Sequence, residues 1–266
     1  MKPVRQRIQA NGADLLVERG GTGPTVLFIN GTNSAIDRSQ ILFDILRQSF
    51  DLIAFDHRGM GASSIPDGPW TMADYARDAK AVLDGLGVST CSVLGMSFGG
   101  MVALEFGVTF PTYLEKLALW CTSAGGTAGS SYPLHTIATM SPEEQAAISL
   151  KLLDSRFSPE WLAANPRDKA LVESRPPQTE MTAEQLHAMS LQLHARSTHD
   201  VVSRIGAIKV PTLIGAGEFD IMAPPVNAHS LHELLPTSEL HFYQGGHLFP
   251  FQDKQAFVDL QNFLAP

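Results

Sequence analysis

The stretch Val93-Leu94-Gly95-Met96-Ser97-Phe98-Gly99-Gly100 decides the fold. Upstream, the largely apolar run Cys91-Ser92-Val93-Leu94 suits a short buried strand. Downstream, Met101-Val102-Ala103-Leu104-Glu105-Phe106 reads as a helix. Between them lies Gly-x-Ser-x-Gly. Strand, sharp turn and helix are the setting of a nucleophile elbow, in which a serine sits at the tip of a strained turn with its hydroxyl exposed. Gly95 and Gly99 have no Cβ, so neighbouring backbone can approach the turn closely. The plain alternative is a Gly/Ser-rich turn without chemistry, and the flanking strand and helix argue against it.

The residues on either side extend the pattern. Asn11-Gly12 between two strand-like runs is a hairpin signal. Thr25-Val26-Leu27-Phe28-Ile29 and Asp51-Leu52-Ile53-Ala54-Phe55 are apolar, β-branched runs of the kind that pack in a sheet covered on both faces. A helix is predicted over residues 36–49, with Ile41, Leu42, Ile45 and Leu46 on its inner face. Thr71 with Asp74 three residues on predicts a capped helix ending near Gly87. Residues 114–121 supply another strand. Alternation of strand and helix argues for a mostly parallel sheet with helices on both faces. From about Ser141 to Ser197 the chain reads as helices alone, with capping signals at Ser141, Ser158 and Thr182 and an inner face of Leu186, Met189 and Leu193. Strand and helix then alternate again to a last strand ending at Tyr243 and a closing helix. The predicted organisation is a core of residues 1–123 and 198–266, with a helical insertion at 124–197.

The totals fit this outline. With 266 residues, 44% of them hydrophobic, the chain can bury one large core. A net charge of −8 argues against nucleic acid or an anionic membrane surface as partner. The two cysteines, Cys91 and Cys121, lie in apolar runs and read as buried free thiols. No Cys/His spacing resembles a metal site, and neither a secretory signal nor a membrane span is visible. A soluble cytoplasmic protein without metal or cofactor is expected.

Serine is a weak nucleophile near neutral pH and needs a base, which in turn needs an orienting group. In open α/β sheets such groups gather beyond the carboxyl ends of the strands. Of the nine histidines, only His247 follows a predicted strand downstream of Ser97, after Gly245-Gly246. The chain order serine, acid, histidine expected on this scaffold selects it as the base. The acid should follow the strand ending near Ala216. Asp220 lies deeper in that loop than Glu218 and is preferred, with Glu218 in reserve. An oxyanion hole requires backbone N–H groups aimed at the developing charge. Phe98, after the nucleophile, and Thr32, in the loop Asn30-Gly31-Thr32-Asn33-Ser34, are the candidate donors. Asn33, Trp120, Met140, Trp161, Ile221, Met222, Leu248 and Phe249 are candidate pocket lining, although Met and aromatic residues serve equally well as core. Asp56 and Arg58 are expected to form a structural network with loop backbone.

These motifs together resemble the α/β-hydrolase superfamily. The resemblance rests on Gly95-Met96-Ser97-Phe98-Gly99-Gly100, on Asp56-His57-Arg58-Gly59-Met60-Gly61-Ala62-Ser63, on Pro211-Thr212-Leu213 leading to Asp220, and on Gly246-His247. It covers nearly the whole chain outside the insertion. It implies an α/β-hydrolase fold, with Ser97 as nucleophile, Asp220 as orienting acid and His247 as base, and the insertion as the family's lid or cap. Many relatives have His-Gly at the start of the oxyanion loop. Asn30-Gly31 here is similar to the 3-oxoadipate enol-lactonases. Haloalkane dehalogenases and epoxide hydrolases of this fold use Asp as nucleophile, so Ser97 argues against those reactions. The resemblance implies a serine hydrolase acting on a small to medium carboxylic ester or lactone. C–C bond hydrolysis and cofactor-free perhydrolysis would use the same triad. A ligand receptor that retains the triad is the alternative of another class.

Overall fold

In the computed structural model, which describes residues 2–175 and 181–265, one sheet of eight strands carries the chain. The strands are β1 (Val4–Ala10), β2 (Ala13–Gly21), β3 (Thr25–Ile29), β4 (Asp51–Phe55), β5 (Cys91–Met96), β6 (Leu114–Trp120), β7 (Thr212–Gly217) and β8 (Ser238–Tyr243). Their order across the sheet is β1-β2-β4-β3-β5-β6-β7-β8. β1 pairs antiparallel with β2, and β2 antiparallel with β4. The other neighbours run parallel. The first hairpin turns at Asn11 (φ 46°) and Gly12 (φ 81°), the positive values a two-residue turn needs.

The helices are α1 (Gln40–Leu46), α2 (Met72–Gly85), α3 (Phe98–Thr109), α4 (Pro142–Leu153), α5 (Pro159–Ala164), α6 (Pro166–Glu173), α7 (Ala183–Ser197), α8 (Pro225–Leu234), α9 (Phe249–Gln252) and α10 (Gln255–Leu264). Side chains alternate across the pleat, so each sheet face has its own core. Val93 and Leu119 pack with α2 and α3 on one face. Leu94 and Trp120 pack with α1 and α10 on the other. Among the described residues, no helix is long and apolar enough to cross a membrane.

The helix predicted over residues 36–49 is shorter. A 3-10 turn at Ile36–Arg38 precedes α1, because the Ile36 N–H is held by Asp56 Oδ1 at 2.6 Å and Ser39 leaves helical geometry at φ −109°, ψ 8°. Leu42, Phe43 and Leu46 form its buried face, whereas Ile41 is exposed. At α2 the capping box is complete: Thr71 Oγ1 accepts from the Asp74 N–H, and Asp74 Oδ2 accepts from the Thr71 N–H. Thr71→Ala is expected to destabilise the protein by about 1 kcal/mol in urea unfolding. No change in the unfolding midpoint would show that the cap is replaced by water.

Between β6 and β7 the described residues carry the helices α4 to α7 and no strand of the sheet. Ser141 with Glu144 and Thr182 with Gln185 form capping boxes, and Ser158 Oγ accepts from the Trp161 N–H. The additional helix α6 opens at Pro166, where the missing N–H costs nothing in the first turn. The buried face of α7 differs from the predicted one. Ala188, Gln192, Ala195 and Arg196 are buried, while Leu186 is exposed.

Candidate active site

β5 ends at Met96, and Ser97 takes φ 57°, ψ −119° before α3 begins. This conformation is sparsely populated for a residue with a side chain, and the surroundings hold it in place. The Ser97 N–H donates to the Trp120 carbonyl at 2.8 Å, and Thr122 Oγ1 donates to the Ser97 carbonyl at 2.8 Å. A Cβ on Gly95 would lie 2.5 Å from the Gly99 carbonyl oxygen, and one on Gly99 would overlap the Ile29 carbonyl. Gly95 therefore lets α3 fold back closely on β5, and Gly99 lets the turn pack against the end of β3.

His247 and Asp220 meet Ser97 from loops after β8 and β7. His247 Nε2 is 3.0 Å from Ser97 Oγ, and its Nδ1 is 2.7 Å from Asp220 Oδ2. The other Asp220 oxygen accepts from the Met222 N–H at 2.7 Å and the Ala223 N–H at 2.9 Å, which fixes the carboxylate plane. The His247 N–H donates to the Leu153 carbonyl at 2.6 Å, tying its loop to the end of α4. All three side chains are buried. Burial acts to lower the His247 pKa, but the adjoining Asp220 carboxylate and, after it, the Cys121 side chain act to raise it, and the imidazole sits well above its ordinary value. Glu218 is exposed and accepts from Gln244 Nε2 at 2.6 Å, away from His247.

The loop after β3 passes beside the serine. A Cβ built on Gly31 would lie 3.6 Å from the Ser97 Cβ. The Gly31 N–H is occupied by Asn30 Oδ1 at 3.2 Å and the Asn33 N–H by Gln192 Oε1 at 2.8 Å. The N–H groups of Thr32 and Phe98 have no protein acceptor among the described residues. Below the loop, His57 Nε2 lies 2.9 Å from the Asn30 carbonyl, with its ring boxed by Phe55, Tyr75 and Phe98.

The model of the α/β-hydrolase fold matches residues 24–254. The chain belongs to the α/β-hydrolase family. This α/β hydrolase is 27% identical to a poly(3-hydroxyalkanoate) depolymerase of Ectopseudomonas oleovorans over 84% of its own length and 78% of that protein's. It is 27% identical to a putative carbamate hydrolase of Serratia proteamaculans over 88% of each chain. Its backbone superposes on the enol-lactonase of Burkholderia xenovorans with a TM-score of 0.78, at 20% identity, over 97% of this chain and 99% of that one.

The expected pocket lining disperses. Trp120 and Phe249 are fully buried in the core on the α10 face, with ring centroids 5.7 Å apart, so they are packing residues and not accessible lining. Leu248 packs against the same core. Trp161 is engaged elsewhere: its Nε1–H donates to Asp168 at 2.8 Å and the Arg156 guanidinium covers its ring. Met140 lines a largely apolar groove of about 480 Å³ with Tyr132, Ile148 and Phe157. Ile221 and Met222 flank the Asp220 loop, where the Met222 carbonyl accepts from the Tyr132 N–H. Asn33 lies in the loop after β3 at φ 51°, with its N–H held by Gln192. Arg58 pairs with Asp78 on α2, and Asp56 accepts from the Ile36 and Ala62 N–H groups, so both belong to a structural network.

Three site neighbours escape the sequence patterns. Cys121 follows Trp120 at φ 45°, and its Sγ lies within 4.8 Å of the Asp220 and His247 ligand atoms. Burial raises its pKa, so it stands beside the pair as a neutral thiol. Both His247 nitrogens are taken by Asp220 and Ser97, which leaves this cluster no free imidazole for a metal. Gln192 and Arg196 are the other two. Their signal would have been polar residues four apart on a helix with small residues between its turns.

Proposed function

We propose that this α/β hydrolase cleaves a small to medium carboxylic ester or lactone through a Ser97 acyl-enzyme. The observation that carries the proposal is the continuous chain from Ser97 Oγ through His247 to Asp220, together with the Thr32 and Phe98 N–H groups, which have no acceptor among the described residues. Neutral His247 accepts the Ser97 proton at Nε2 as Oγ attacks the carbonyl carbon. Asp220 stabilises the imidazolium and fixes its tautomer. The tetrahedral oxyanion is held by the Thr32 and Phe98 N–H groups. Collapse expels the alcohol oxygen, which takes the proton from His247 Nε2. Water then gives a proton to His247 as it attacks the acyl carbon, and Ser97 leaves with that proton. In a lactone the alcohol and the acid remain in one product.

Residues 124–197 act as the cap over this site. Support comes from the contacts of α7 and the end of α4 with the oxyanion and His247 loops. The esterase reading is consistent with the ester-cleaving name of the depolymerase relative, while a carbamate would be attacked by the same serine.

A fluorophosphonate probe is expected to label Ser97 in wild-type protein and to leave folded Ser97→Ala unlabelled, as read by mass spectrometry of the modified peptide. Absence of label in folded wild-type protein overturns the assignment of Ser97 as nucleophile.

A further inference from the structure

Helix α7 runs along the loops at the carboxyl edge of the sheet. Ala188 packs at Gly59 beyond β4, Gln192 accepts from Asn33 beyond β3, and just past the helix His199 Nε2 is 3.2 Å from the Ser123 carbonyl beyond β6. β5, which ends in Ser97, lies between β3 and β6. The buried stripe between these anchors contains Gln192, Ala195 and Arg196. That stretch of α7 is therefore the part of the helix that faces the elbow.

The stripe holds an unneutralised cation. Arg196 is 7% exposed, yet no carboxylate pairs with it among the described residues. Its single hydrogen bond runs from Nη1 to the Tyr132 carbonyl at 2.9 Å, and its Nε is buried without a partner. One turn earlier, Gln192 is fully buried, with Nε2 likewise unpartnered. A guanidinium has five N–H donors and accepts nothing; here one donates to Tyr132, and the buried Nε–H has no partner among the described residues. Burial draws the Arg196 pKa down to about 10, still far above neutrality, and the side chain remains charged. Buried arginines ordinarily have a partner, because an uncompensated charge in the interior is strongly unfavourable.

We infer that Arg196, assisted by Gln192 Nε2, binds a carboxylate group of the substrate, so that the enzyme selects carboxylate-bearing esters or lactones. This rests on the serine-hydrolase reading for its reaction but not for its binding. A carboxylate matches one planar guanidinium in both charge and shape. A phosphate dianion would leave a negative charge unmatched. Arg196 is thus a specificity-determining residue, and Gln192 joins it to the oxyanion loop through Asn33.

The test compares 4-nitrophenyl half esters of C4–C8 dicarboxylic acids with 4-nitrophenyl esters of the matching monocarboxylic acids. The ratio of kcat/KM between the two series is read within each variant, so a general change in activity cancels. Wild type should favour the half esters, and Arg196→Met should lower that ratio by roughly 30-fold, the scale of a charge-assisted hydrogen-bonded pair. Arg196→Lys, with charge but no fork, should fall between. In parallel, Ser97→Ala is titrated calorimetrically with the free dicarboxylates, and their binding should vanish in Ser97→Ala/Arg196→Met. Removing an unpaired buried charge should leave the Tm unchanged or raise it.

An unchanged ratio with active enzyme overturns the carboxylate site and leaves the serine reading intact. Dicarboxylate binding that depends on Arg196 without turnover of any ester upholds the site and overturns the hydrolase reading. Inorganic phosphate binding more tightly than the dicarboxylates overturns the choice of ligand. A marked fall in Tm for both Arg196 variants, with dicarboxylates failing to bind Ser97→Ala, assigns Arg196 to structure and overturns the proposal.

Discussion

Asp220→Asn is expected to lower kcat for a 4-nitrophenyl ester by about 10⁴-fold while the fold persists. Asn can keep the acceptor that the Met222 and Ala223 N–H groups use, so the loop should hold its shape. The change falls on the other side of the carboxyl group, where Oδ2 meets His247 Nδ1 at 2.7 Å. An amide NH₂ there donates to Nδ1 and forces the ring proton onto Nε2, the atom that must accept the Ser97 proton. The base is then present in the wrong tautomer. The pH profile gives an independent reading. In the proposed mechanism His247 must be neutral to act, and its pKa is raised well above the ordinary histidine value. Wild-type kcat/KM should therefore rise with pH through that elevated pKa, and the rising limb should move to lower pH in Asp220→Asn, where the neighbouring charge is gone. Glu218→Gln should stay near wild type, since Glu218 faces solvent and Gln244. Activity retained in Asp220→Asn and lost in Glu218→Gln would transfer the orienting role to Glu218.

The elbow and its partners were legible because each is constrained by local backbone chemistry. Gly-x-Ser-x-Gly specifies a turn that only those residue types tolerate, and Gly245-Gly246 lets the His247 loop close against β7 and α4. The strands were legible for a similar reason. β3 and β4 are buried along almost their whole length, so their apolar runs have one explanation. Legibility fails where one residue type serves two purposes. Trp120 follows Leu119 on a strand whose successive side chains enter opposite cores, and nothing in the local sequence says which face meets the cleft.

Helix α7 shows the limit more sharply. Periodicity finds the face that packs on hydrocarbon, and it selected Leu186, Met189 and Leu193. The face that lies on the sheet's carboxyl edge is instead Ala188, Gln192, Ala195 and Arg196. Small residues let the helix approach the loops, and each polar one makes one hydrogen bond, Gln192 to Asn33 and Arg196 to Tyr132. A helix laid over polar loops has little reason to be hydrophobic on its buried side, so hydrophobic patterning misreads it. Cys121 is a related case. Its apolar context predicted burial, which holds, but its place beside His247 and Asp220 depends on three separate loops.

The acid limit of stability should be set in part by His57. Its ring is fully buried among Phe55, Tyr75 and Phe98, Nδ1 has no partner, and burial pushes its pKa down to about 4, with the nearby Arg58 charge acting in the same direction and the Asn30 hydrogen bond opposing. The neutral ring donates from Nε2–H to the Asn30 carbonyl, which anchors the loop that carries the Thr32 N–H. In the unfolded chain the same imidazole protonates near pH 6.5. Between those two values the unfolded state holds one more proton than the folded state, so stability falls as the pH falls. The slope is about 1.4 kcal/mol per pH unit, and the whole window is worth about 3 kcal/mol. His57→Gln removes the titration. It should be less stable than wild type at pH 7, and the gap should close by about 3 kcal/mol as the pH is lowered to 4, measured by urea unfolding at each pH. His199, also buried and with its pKa lowered to about 4, titrates equally in both proteins and drops out of the comparison. Parallel stability curves for wild type and His57→Gln would mean that His57 takes up its proton in the folded state, and the neutral ring could not then be what holds the oxyanion loop against Phe98.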